Sequence, residues 1–348
     1  MTPADAALPI DARTIQAFIA EHTGSTEPIE ARALTGGISP RSFLRVKLGE
    51  GKSAVVMVVP PETPDRAFAR ERGREWPFLE LRDLLEQNGV RVPRLFAAAT
   101  ERGLLLVEDL GETLAEHLAR MPSSRTELYT CAVRDLARAQ LKLDPLPEGS
   151  VVRERGFDRA LYGAELDHFW DFGLVARGFD TAGRPDFEAA RAYLVEALGA
   201  LPRGFTHRDY QSRNLMVVEA EGGGPALAWI DFQDALLGPR AYDLVALLAD
   251  SYQPFDRSFV EQRLDDYAAA RGLDAAERRA LGREFDLLCV QRKLKDAGRF
   301  VFFERTRGDA SFLPFVEPTL AIVRDALSRL TDVPELRALD RVVARVQR

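Results

Sequence analysis

The apolar positions follow two different spacings along the chain, a strand-like one before residue 108 and a helical one after it. In the first part, short apolar runs and alternating positions predict five strands. They fall at residues 31–35, 43–48, 53–59, 95–98 and 104–107. A helix is expected ahead of this set at residues 10–22, with Asp11 as its N-cap, and a charged helix is expected at residues 64–88.

The remainder of the chain is predicted to be mainly helical, because its apolar residues recur every three or four positions. The periodic runs cover residues 125–142, 157–176, 186–199, 240–252, 257–271, 275–305 and 311–330. One strand–turn–strand pattern interrupts them at residues 215–230, where a Gly-Pro turn at 222–225 separates two apolar runs. The interruption indicates a β-hairpin inside a helical region.

The change in spacing near residues 108–111 predicts two lobes. Residues 1–108 are expected to form an N-terminal lobe with a five-stranded sheet and a helix. Residues 109–348 are expected to form a larger, mainly helical C-terminal lobe, so the predicted fold class is α+β. A cleft between two such lobes is a common place for a small ligand.

Composition and charge narrow the class of protein further. The 348 residues suffice for two lobes, and 46% hydrophobic with 29% charged residues is ordinary for a soluble globular protein. A net charge of −7 argues against a nucleic-acid partner, which needs a basic surface. No run approaches the ~20 apolar residues of a membrane span, and residues 1–5 lack the features of a signal peptide. We expect a cytoplasmic enzyme without a membrane partner, and most simply a monomer.

The candidate chemistry lies in two motifs, HRDYQSRN at residues 207–214 and IDFQD at residues 230–234. The hairpin between them is expected to return Asp231 to the side of Asn214 and Asp209. Asp209 is the predicted base, which would accept or orient the proton of an acceptor hydroxyl. Asn214 and Asp231 offer the oxygen ligands that Mg²⁺ prefers. These are the parts that phosphoryl transfer from ATP requires, so the motifs predict an ATP- and magnesium-dependent kinase.

Two residues are expected to support this catalytic loop. Asp243 follows a Gly-Pro break and falls in the first turn of the next helix, so its carboxylate is placed to accept backbone N–H groups of the loop. His207 is expected to hold the loop through hydrogen bonds.

Basic and polar residues are the candidates for contacts with the acceptor or the γ-phosphate. Arg208, next to Asp209, is expected to pair with a carboxylate or to reach the acceptor. Gln211 and Arg213 are candidates for contacts with the γ-phosphate or the acceptor, and the alternative is that they are solvated surface residues. Arg292 and Lys295 lie on one later helix, which would meet an anionic acceptor if it lines the cleft and would otherwise face water.

A glycine-rich segment between the first two strands is the candidate phosphate cover. Gly36 and Gly37 would let backbone N–H groups approach phosphate oxygens closely, and the Ser39 and Ser42 hydroxyls would add donors. A plain Gly-Gly hairpin turn is the alternative interpretation of the same pattern.

Taken together, these motifs resemble the aminoglycoside phosphotransferase-like kinases, which share the two-lobed protein-kinase fold. The longer run IDFQDALLGPRAYDL at residues 230–244 looks more specifically like the anomeric N-acetylmuramate/N-acetylglucosamine kinases of bacterial cell-wall recycling. The resemblance extends to the Pro-Pro pair at 60–61, the run LVEDLG at 106–111 and the run QRKLK at 291–295, and so covers most of the chain.

The resemblance implies that ATP binds through backbone groups near Glu108 and Leu110. It also implies transfer of the γ-phosphoryl group to the C1 hydroxyl of an amino sugar. The resulting sugar 1-phosphate would feed a UDP-sugar route associated with fosfomycin tolerance. The basic candidate residues suit a neutral or carboxylate-bearing acceptor better than a polycationic aminoglycoside.

One position departs from the protein-kinase pattern, in which a lysine on the third strand contacts the α- and β-phosphates. Met57 occupies that position here, and Lys52 lies only at the start of the strand. The phosphate cation must then be another residue, such as Arg41, or its role falls to magnesium. Two alternatives stay open: a related kinase with an aminoglycoside, choline or other sugar as acceptor, and a nucleotide-binding pseudokinase.

Overall fold

The computed structural model describes residues 11–23, 30–34, 40–49, 51–220, 222–253 and 255–346. The predicted phosphate-cover residues Gly36, Gly37 and Ser39 lie outside these ranges. The chain forms two compact units, the first made of residues 1–122 and 213–233 and the second of residues 123–212 and 234–348. This division differs from the predicted lobes, whose boundary at residue 108 stays a prediction.

The nine strands of the described ranges have the following bounds: β1 Ala31–Leu34, β2 Ser42–Gly49, β3 Lys52–Val58, β4 Leu95–Ala99, β5 Leu104–Glu108, β6 Arg203–Thr206, β7 Leu215–Glu219, β8 Pro225–Trp229 and β9 Leu236–Pro239. The helices begin with α1 Ala12–Thr23, α2 Pro64–Arg72, α3 Pro77–Gln87, α4 Leu114–Arg120, α5 Arg125–Lys142, α6 Val151–Glu154 and α7 Arg159–His168. They continue with α8 Arg184–Gly199, α9 Tyr242–Leu248, α10 Arg257–Arg271, α11 Ala275–Arg307, α12 Val316–Leu327 and α13 Pro334–Val346. A π-helical segment, Phe169–Leu174, follows α7.

The first unit is built on an antiparallel sheet with the strand order β1-β2-β3-β5-β4. Phe18 and Ile19 of α1 join the core cluster that contains Val56 of β3 and Leu106 of β5. Asp11 caps α1 by accepting the Thr14 N–H at 3.0 Å. The predicted set of five strands and the first helix are thereby confirmed.

The predicted single helix over residues 64–88 is wrong, because the chain forms α2 and α3 there with a break between them. Gly73 ends α2 in the left-handed conformation, at φ 59°, and its N–H bonds the Ala69 carbonyl. Pro77 begins α3, a position where a missing N–H and a fixed φ are well tolerated. The charged periodicity runs through the break, which is why the spacing alone did not show it.

The predicted hairpin is present as β7 and β8, with Leu215 paired to Trp229 and Val217 to Leu227. It belongs to the first unit although it comes late in the chain. The Trp229 N–H donates to the Arg91 carbonyl at 2.8 Å, and the Val217 N–H donates to the Glu112 carbonyl at 3.1 Å.

The second unit is mainly helical, and its longest element is the 33-residue α11. A capping box of Asp274 and Glu277 starts this helix, and Gly308 ends it in the left-handed conformation. The bounds of α5 and α10 match the predicted periodic runs. The short antiparallel pair of β6 and β9 was not predicted. It frames the catalytic loop, which starts directly after β6.

Two glycines of α11 test how tightly this helix packs. We expect Gly298→Ala to lower the free energy of unfolding by about 2 kcal/mol, a typical cost of overpacking. An added Cβ would lie 2.8 Å from the Phe169 Cα and 3.0 Å from the His168 carbonyl oxygen. Gly282→Ala is the matched control, because its Cβ meets only the flexible Arg278 side chain at 3.3 Å. That variant should gain up to ~1 kcal/mol from helix propensity. The prediction would be contradicted if urea denaturation showed that both variants change the free energy of unfolding in the same direction.

Candidate active site

The start of the catalytic loop is held by Asp243, which lies in the first turn of α9 and is fully buried. Its carboxylate accepts the His207 N–H at 2.7 Å and the Arg208 N–H at 2.9 Å, the kind of contact expected from the sequence. Burial raises the pKa of Asp243 to about 7, against the opposing effect of these two hydrogen bonds and of Arg292. The buried His207 ring packs edge-on against Tyr210.

The middle of the loop is fastened by two side chains that sequence reasoning missed. The buried Tyr210 hydroxyl donates to the Ala132 carbonyl of α5 at 2.9 Å. The Ser212 hydroxyl donates to Asp250 at 3.2 Å, and Asp250 also accepts the Tyr252 N–H at 2.9 Å. A carboxylate directly after the apolar helix α9 was the available signal for Asp250, since such a group is costly unless it is paired.

Two of the motif residues have a left-handed backbone. Arg208 has φ 78° and Asp231 has φ 61°, and they are the non-glycine residues with positive φ in the described part of the chain. For residues other than glycine, this backbone conformation costs roughly 1–3 kcal/mol, so surrounding contacts must hold it in place. Strained residues of this kind concentrate at functional sites, which fits the two positions found here.

Asp209 is the predicted base, and its side chain is 38% exposed. Burial raises the pKa of this carboxyl, but the positive charges of Arg292, Lys295 and Arg208 outweigh that effect, so the pKa lies below its usual value. The nearest guanidinium nitrogen of Arg292 is 3.5 Å from its Oδ1. Asp209 is therefore an ionised, accessible carboxylate that can accept a hydrogen bond from a hydroxyl group.

Asn214 and Asp231, the predicted metal ligands, lie side by side in the first unit. The Ile230 N–H donates to the Asn214 carbonyl at 3.0 Å, which aligns the ends of β7 and β8. The Asn214 amide nitrogen is 3.5 Å from Asp231 Oδ2, and the Gln233 amide donates to Asp231 Oδ1 at 2.7 Å. The ring of Phe232, between Asp231 and Gln233, stacks on Phe78 at 5.1 Å.

This donor set fits Mg²⁺. A 180° rotation of the Asn214 amide would present its oxygen beside the Asp231 carboxylate, and both are hard oxygen donors. Magnesium commonly takes one or two protein ligands and completes its shell with phosphate and water. Gln233 was not predicted from the sequence, although its amide orients the Asp231 carboxylate.

The candidate acceptor residues are distributed over both units. Gln211 is partly exposed and its N–H donates to the Asp209 carbonyl at 2.9 Å, within the same unit as Arg208, Arg292 and Lys295. Arg213 is exposed and belongs to the first unit.

Lys295 is a mostly buried ammonium group in the second unit, with its side chain 12% exposed. Its Nζ is 3.5 Å from the Asp296 carboxylate. The same carboxylate accepts a shorter hydrogen bond, of 2.9 Å, from the Lys293 ammonium. Burial lowers the pKa of Lys295, but Tyr242, Asp296 and Glu165 raise it by more. Lys295 is therefore charged.

Arg292 is turned towards the catalytic loop and is almost fully buried, with its side chain 6% exposed. Its Nη1 donates to the Arg208 carbonyl at 3.0 Å, and its guanidinium lies over the Tyr242 ring, 4.6 Å from the centroid. One residue earlier, the Gln291 amide donates to Glu165 of α7 at 2.7 Å.

The residues predicted to bind the nucleotide lie in the first unit. The Glu108 carboxylate accepts hydrogen bonds from the Arg91 guanidinium at 2.6 Å and from the Arg94 N–H at 3.1 Å. Its side chain is therefore engaged in contacts at the end of β5. Burial raises the pKa of Glu108, and these hydrogen bonds together with the charge of Arg91 lower it by more. Leu110 is partly exposed, and Ser42 is the first residue of β2.

The structure also shows the surroundings of Met57, which occupies the position of the third-strand lysine of protein kinases. Met57 is 3% exposed and pairs with Phe43 of β2 and Leu105 of β5. Arg41 forms an ion pair with Asp65 in the first turn of α2, and the two side chains are only 9% and 3% exposed. Asp65 was not singled out from the sequence.

The antiparallel sheet, the mainly helical second unit and the anchored H-R-D loop define a kinase-like phosphotransferase. The chain belongs to the phosphotransferase enzyme family, whose model matches residues 30–281. The resemblance drawn from the motifs, and the α+β protein-kinase-like fold class, are confirmed.

Individual relatives agree with this assignment. The chain is 32% identical over 330 residues to an N-acetylmuramate/N-acetylglucosamine kinase of Pseudomonas putida, covering 92% of this chain and 90% of the relative. It is 31% identical to the enzyme of the same name from Pseudomonas aeruginosa, covering 95% and 93%. Among solved structures, the GDP complex of wild-type aminoglycoside 2'-phosphotransferase-IIIa matches with a TM-score of 0.62 at 14% identity, covering 91% of this chain and 98% of that one. Within the described residues, no helix has both the length and the apolar character to cross a membrane.

Proposed function

We propose that this protein is an ATP-dependent kinase that phosphorylates the C1 hydroxyl of N-acetylmuramate and N-acetylglucosamine. The observation that carries the proposal is the 32% identity, over nearly the whole chain, to a relative named for these two sugars. The positive charges around Asp209 add support, because they suit the carboxylate of N-acetylmuramate better than a polycationic acceptor.

The proposed roles follow the chemistry of each side chain. Asp209 orients the acceptor hydroxyl and takes up its proton as the bond to phosphorus forms. Asn214 and Asp231 would hold magnesium, which would neutralise charge on the phosphates. Gln233 keeps the Asp231 carboxylate in one orientation through its 2.7 Å hydrogen bond.

The proposed nucleotide contacts are backbone and hydroxyl groups of Gly36, Gly37, Ser39 and Ser42, with backbone groups near Glu108 and Leu110. Arg41 is our candidate for the cation that replaces the third-strand lysine, because Asp65 holds its guanidinium in one buried position. Ion pairing of this kind aligns the phosphate-binding lysine in protein kinases.

The proposed acceptor contacts are Arg208, Gln211, Arg213 and Lys295. Lys295 is the strongest of these for a carboxylate, because it is a charged, mostly buried group and the anion beside it, Asp296, is shared with Lys293. The sugar 1-phosphate would enter a route to UDP-N-acetylmuramate, and an enzyme that consumes ATP for this purpose is expected in the cytoplasm. The link to fosfomycin tolerance stays a prediction of the same kind.

A substrate panel tests the proposal. ADP release should be seen with N-acetylmuramate and N-acetylglucosamine, and not with kanamycin, choline or N-acetylglucosamine methylated at O1. In the proton-coupled phosphorus spectrum an anomeric phosphate couples to one sugar proton, whereas a 6-phosphate couples to two. Turnover of kanamycin or choline in place of the sugars would support the related-kinase alternative. ATP binding without turnover of any acceptor would support the pseudokinase alternative.

A further inference from the structure

A buried arginine beneath the catalytic loop is not among the proposed acceptor contacts. Arg292 was a candidate acceptor contact in the sequence, yet its side chain is 6% exposed. Its guanidinium contacts three features of the second unit: the Arg208 carbonyl at 3.0 Å, the Asp209 carboxylate at 3.5 Å and the face of the Tyr242 ring. All three belong to the loop or to the first residue of α9.

The contact with Arg208 acts on a strained peptide. Arg208 has φ 78°, a conformation that a bulky side chain adopts only when its surroundings hold it. Asp243 accepts its N–H at 2.9 Å, and Arg292 donates to its carbonyl at 3.0 Å. The two polar groups of the strained residue are therefore both fixed from outside the loop. Asp209 follows directly, so its direction depends on this fixed peptide.

The contact with Asp209 is electrostatic as well as geometric. The 3.5 Å separation is long for a hydrogen bond but close for an ion pair, and it leaves the carboxylate 38% exposed. Arg292 is the largest single influence that opposes the effect of burial on the pKa of Asp209. The ammonium of Lys295, the guanidinium of Arg208 and the ring of His207 also lower the pKa of Asp209. Arg292 itself faces the carboxylates of Asp296, Asp209 and Asp243 and the Tyr242 hydroxyl.

We propose that Arg292 is a positioning residue, which holds the Arg208 peptide in its left-handed conformation and keeps the Asp209 carboxylate charged and aimed at the acceptor hydroxyl. The proposal rests on the proposed function in one respect, the assignment of Asp209 as the group that meets the acceptor. It differs from the acceptor-contact interpretation, which predicts an effect on the KM for the sugar.

Two variants separate charge from geometry. Arg292→Gln removes the charge, and we expect kcat to fall by roughly 10²-fold, the usual consequence of misplacing a reacting group by about 1 Å. The KM for the sugar should change by less than about threefold. As the pH falls, this variant should lose activity at a higher pH than the wild type, because the positive charge that keeps the pKa of Asp209 low has been removed. Arg292→Lys keeps the charge, so its low-pH limb should stay close to that of the wild type while kcat still falls.

Arg299→Gln is the matched control, since Arg299 lies on the same helix, is exposed and stacks on Phe303. It should leave kcat and the pH profile unchanged. A KM increase of about tenfold at unchanged kcat in Arg292→Gln would overturn the proposal in favour of an acceptor contact. Circular dichroism and ATP binding by calorimetry should match the wild type in all three variants.

A readout independent of turnover keeps the proposal distinct from the proposed function. Aspartate labelled with ¹³C at its carboxyl carbon, with the Asp209 signal assigned by Asp209→Asn, reports the titration of this group directly. A midpoint that moves to higher pH in Arg292→Gln supports the proposal, and an unchanged midpoint overturns it. If the wild type phosphorylates neither amino sugar, the proposed function fails, while this titration still decides the relation between Arg292 and Asp209.

Discussion

Asp209→Asn is expected to lower kcat for phosphoryl transfer by about 10³-fold, within the range typical of a lost general base. The amide has nearly the same shape as the carboxylate but cannot take up the hydroxyl proton. The anchors of the loop are made by neighbouring residues, at Asp243, Ala132 and Asp250, so the loop should keep its conformation. ATP affinity should therefore remain within about twofold of the wild type.

The measurement is steady-state ADP release with N-acetylmuramate, together with calorimetric titration of ATP. Asp180→Asn is the matched control, because Asp180 is an exposed cap that accepts the Ala182 N–H at 2.9 Å. Asparagine caps about as well as aspartate, so this variant should behave as the wild type. Turnover of Asp209→Asn within tenfold of the wild type would remove Asp209 from the role of base.

The second large effect is expected for Asp231→Asn, which should lower kcat by roughly 10³-fold and raise the Mg²⁺ concentration needed for half-maximal rate. A bound metal ion stabilises the charge of the transition state by several kcal/mol, and removing a charged ligand weakens this contribution. Asparagine suits this position for a separate reason. It tolerates the left-handed backbone that Asp231 adopts at φ 61°, so the substitution changes the charge without adding strain.

Alanine at the same position tests that reasoning. Asp231→Ala should lose activity as well, and should also lower the free energy of unfolding by about 1 kcal/mol relative to Asp231→Asn, because alanine is strained at positive φ. Rates measured across a magnesium series, with urea denaturation of both variants, provide the comparison. A wild-type magnesium dependence in Asp231→Asn would show that Asp231 is not a ligand.

Local spacing predicted much of the fold because it reflects which face of each element is buried. The runs at 125–142 and 257–271 became α5 and α10 with the same bounds, and the Gly-rich turn marked the β7–β8 hairpin. The effect of single residues with strong backbone preferences was harder to predict where the helical spacing continued on both sides of them. Gly73 and Pro77 divide a run that looks like one helix, and the π-helical segment at Phe169–Leu174 follows α7 without any break in apolar spacing.

The candidate site was predictable where the chemistry is local and not where it depends on packing. Asp243 was found because a helix start after a Gly-Pro break faces its carboxylate towards backbone donors. The orientation of Arg292 was not predictable, since buried residues surround most of the circumference of α11 and spacing does not distinguish which arginine points to the loop. Tyr210 and Ser212 were missed because no local pattern marks their partners, the Ala132 carbonyl and the Asp250 carboxylate.

The late position of the β7–β8 hairpin affects how the chain can fold during its synthesis. The first unit needs residues 213–233, which the ribosome adds long after residue 122. Until then the carbonyls of Arg91 and Glu112 lack the Trp229 and Val217 N–H groups that they bond in the finished fold. Domains generally fold as units in the order of their synthesis. Here the N-terminal segment cannot complete its fold first, so it must wait for much of the helical unit to emerge.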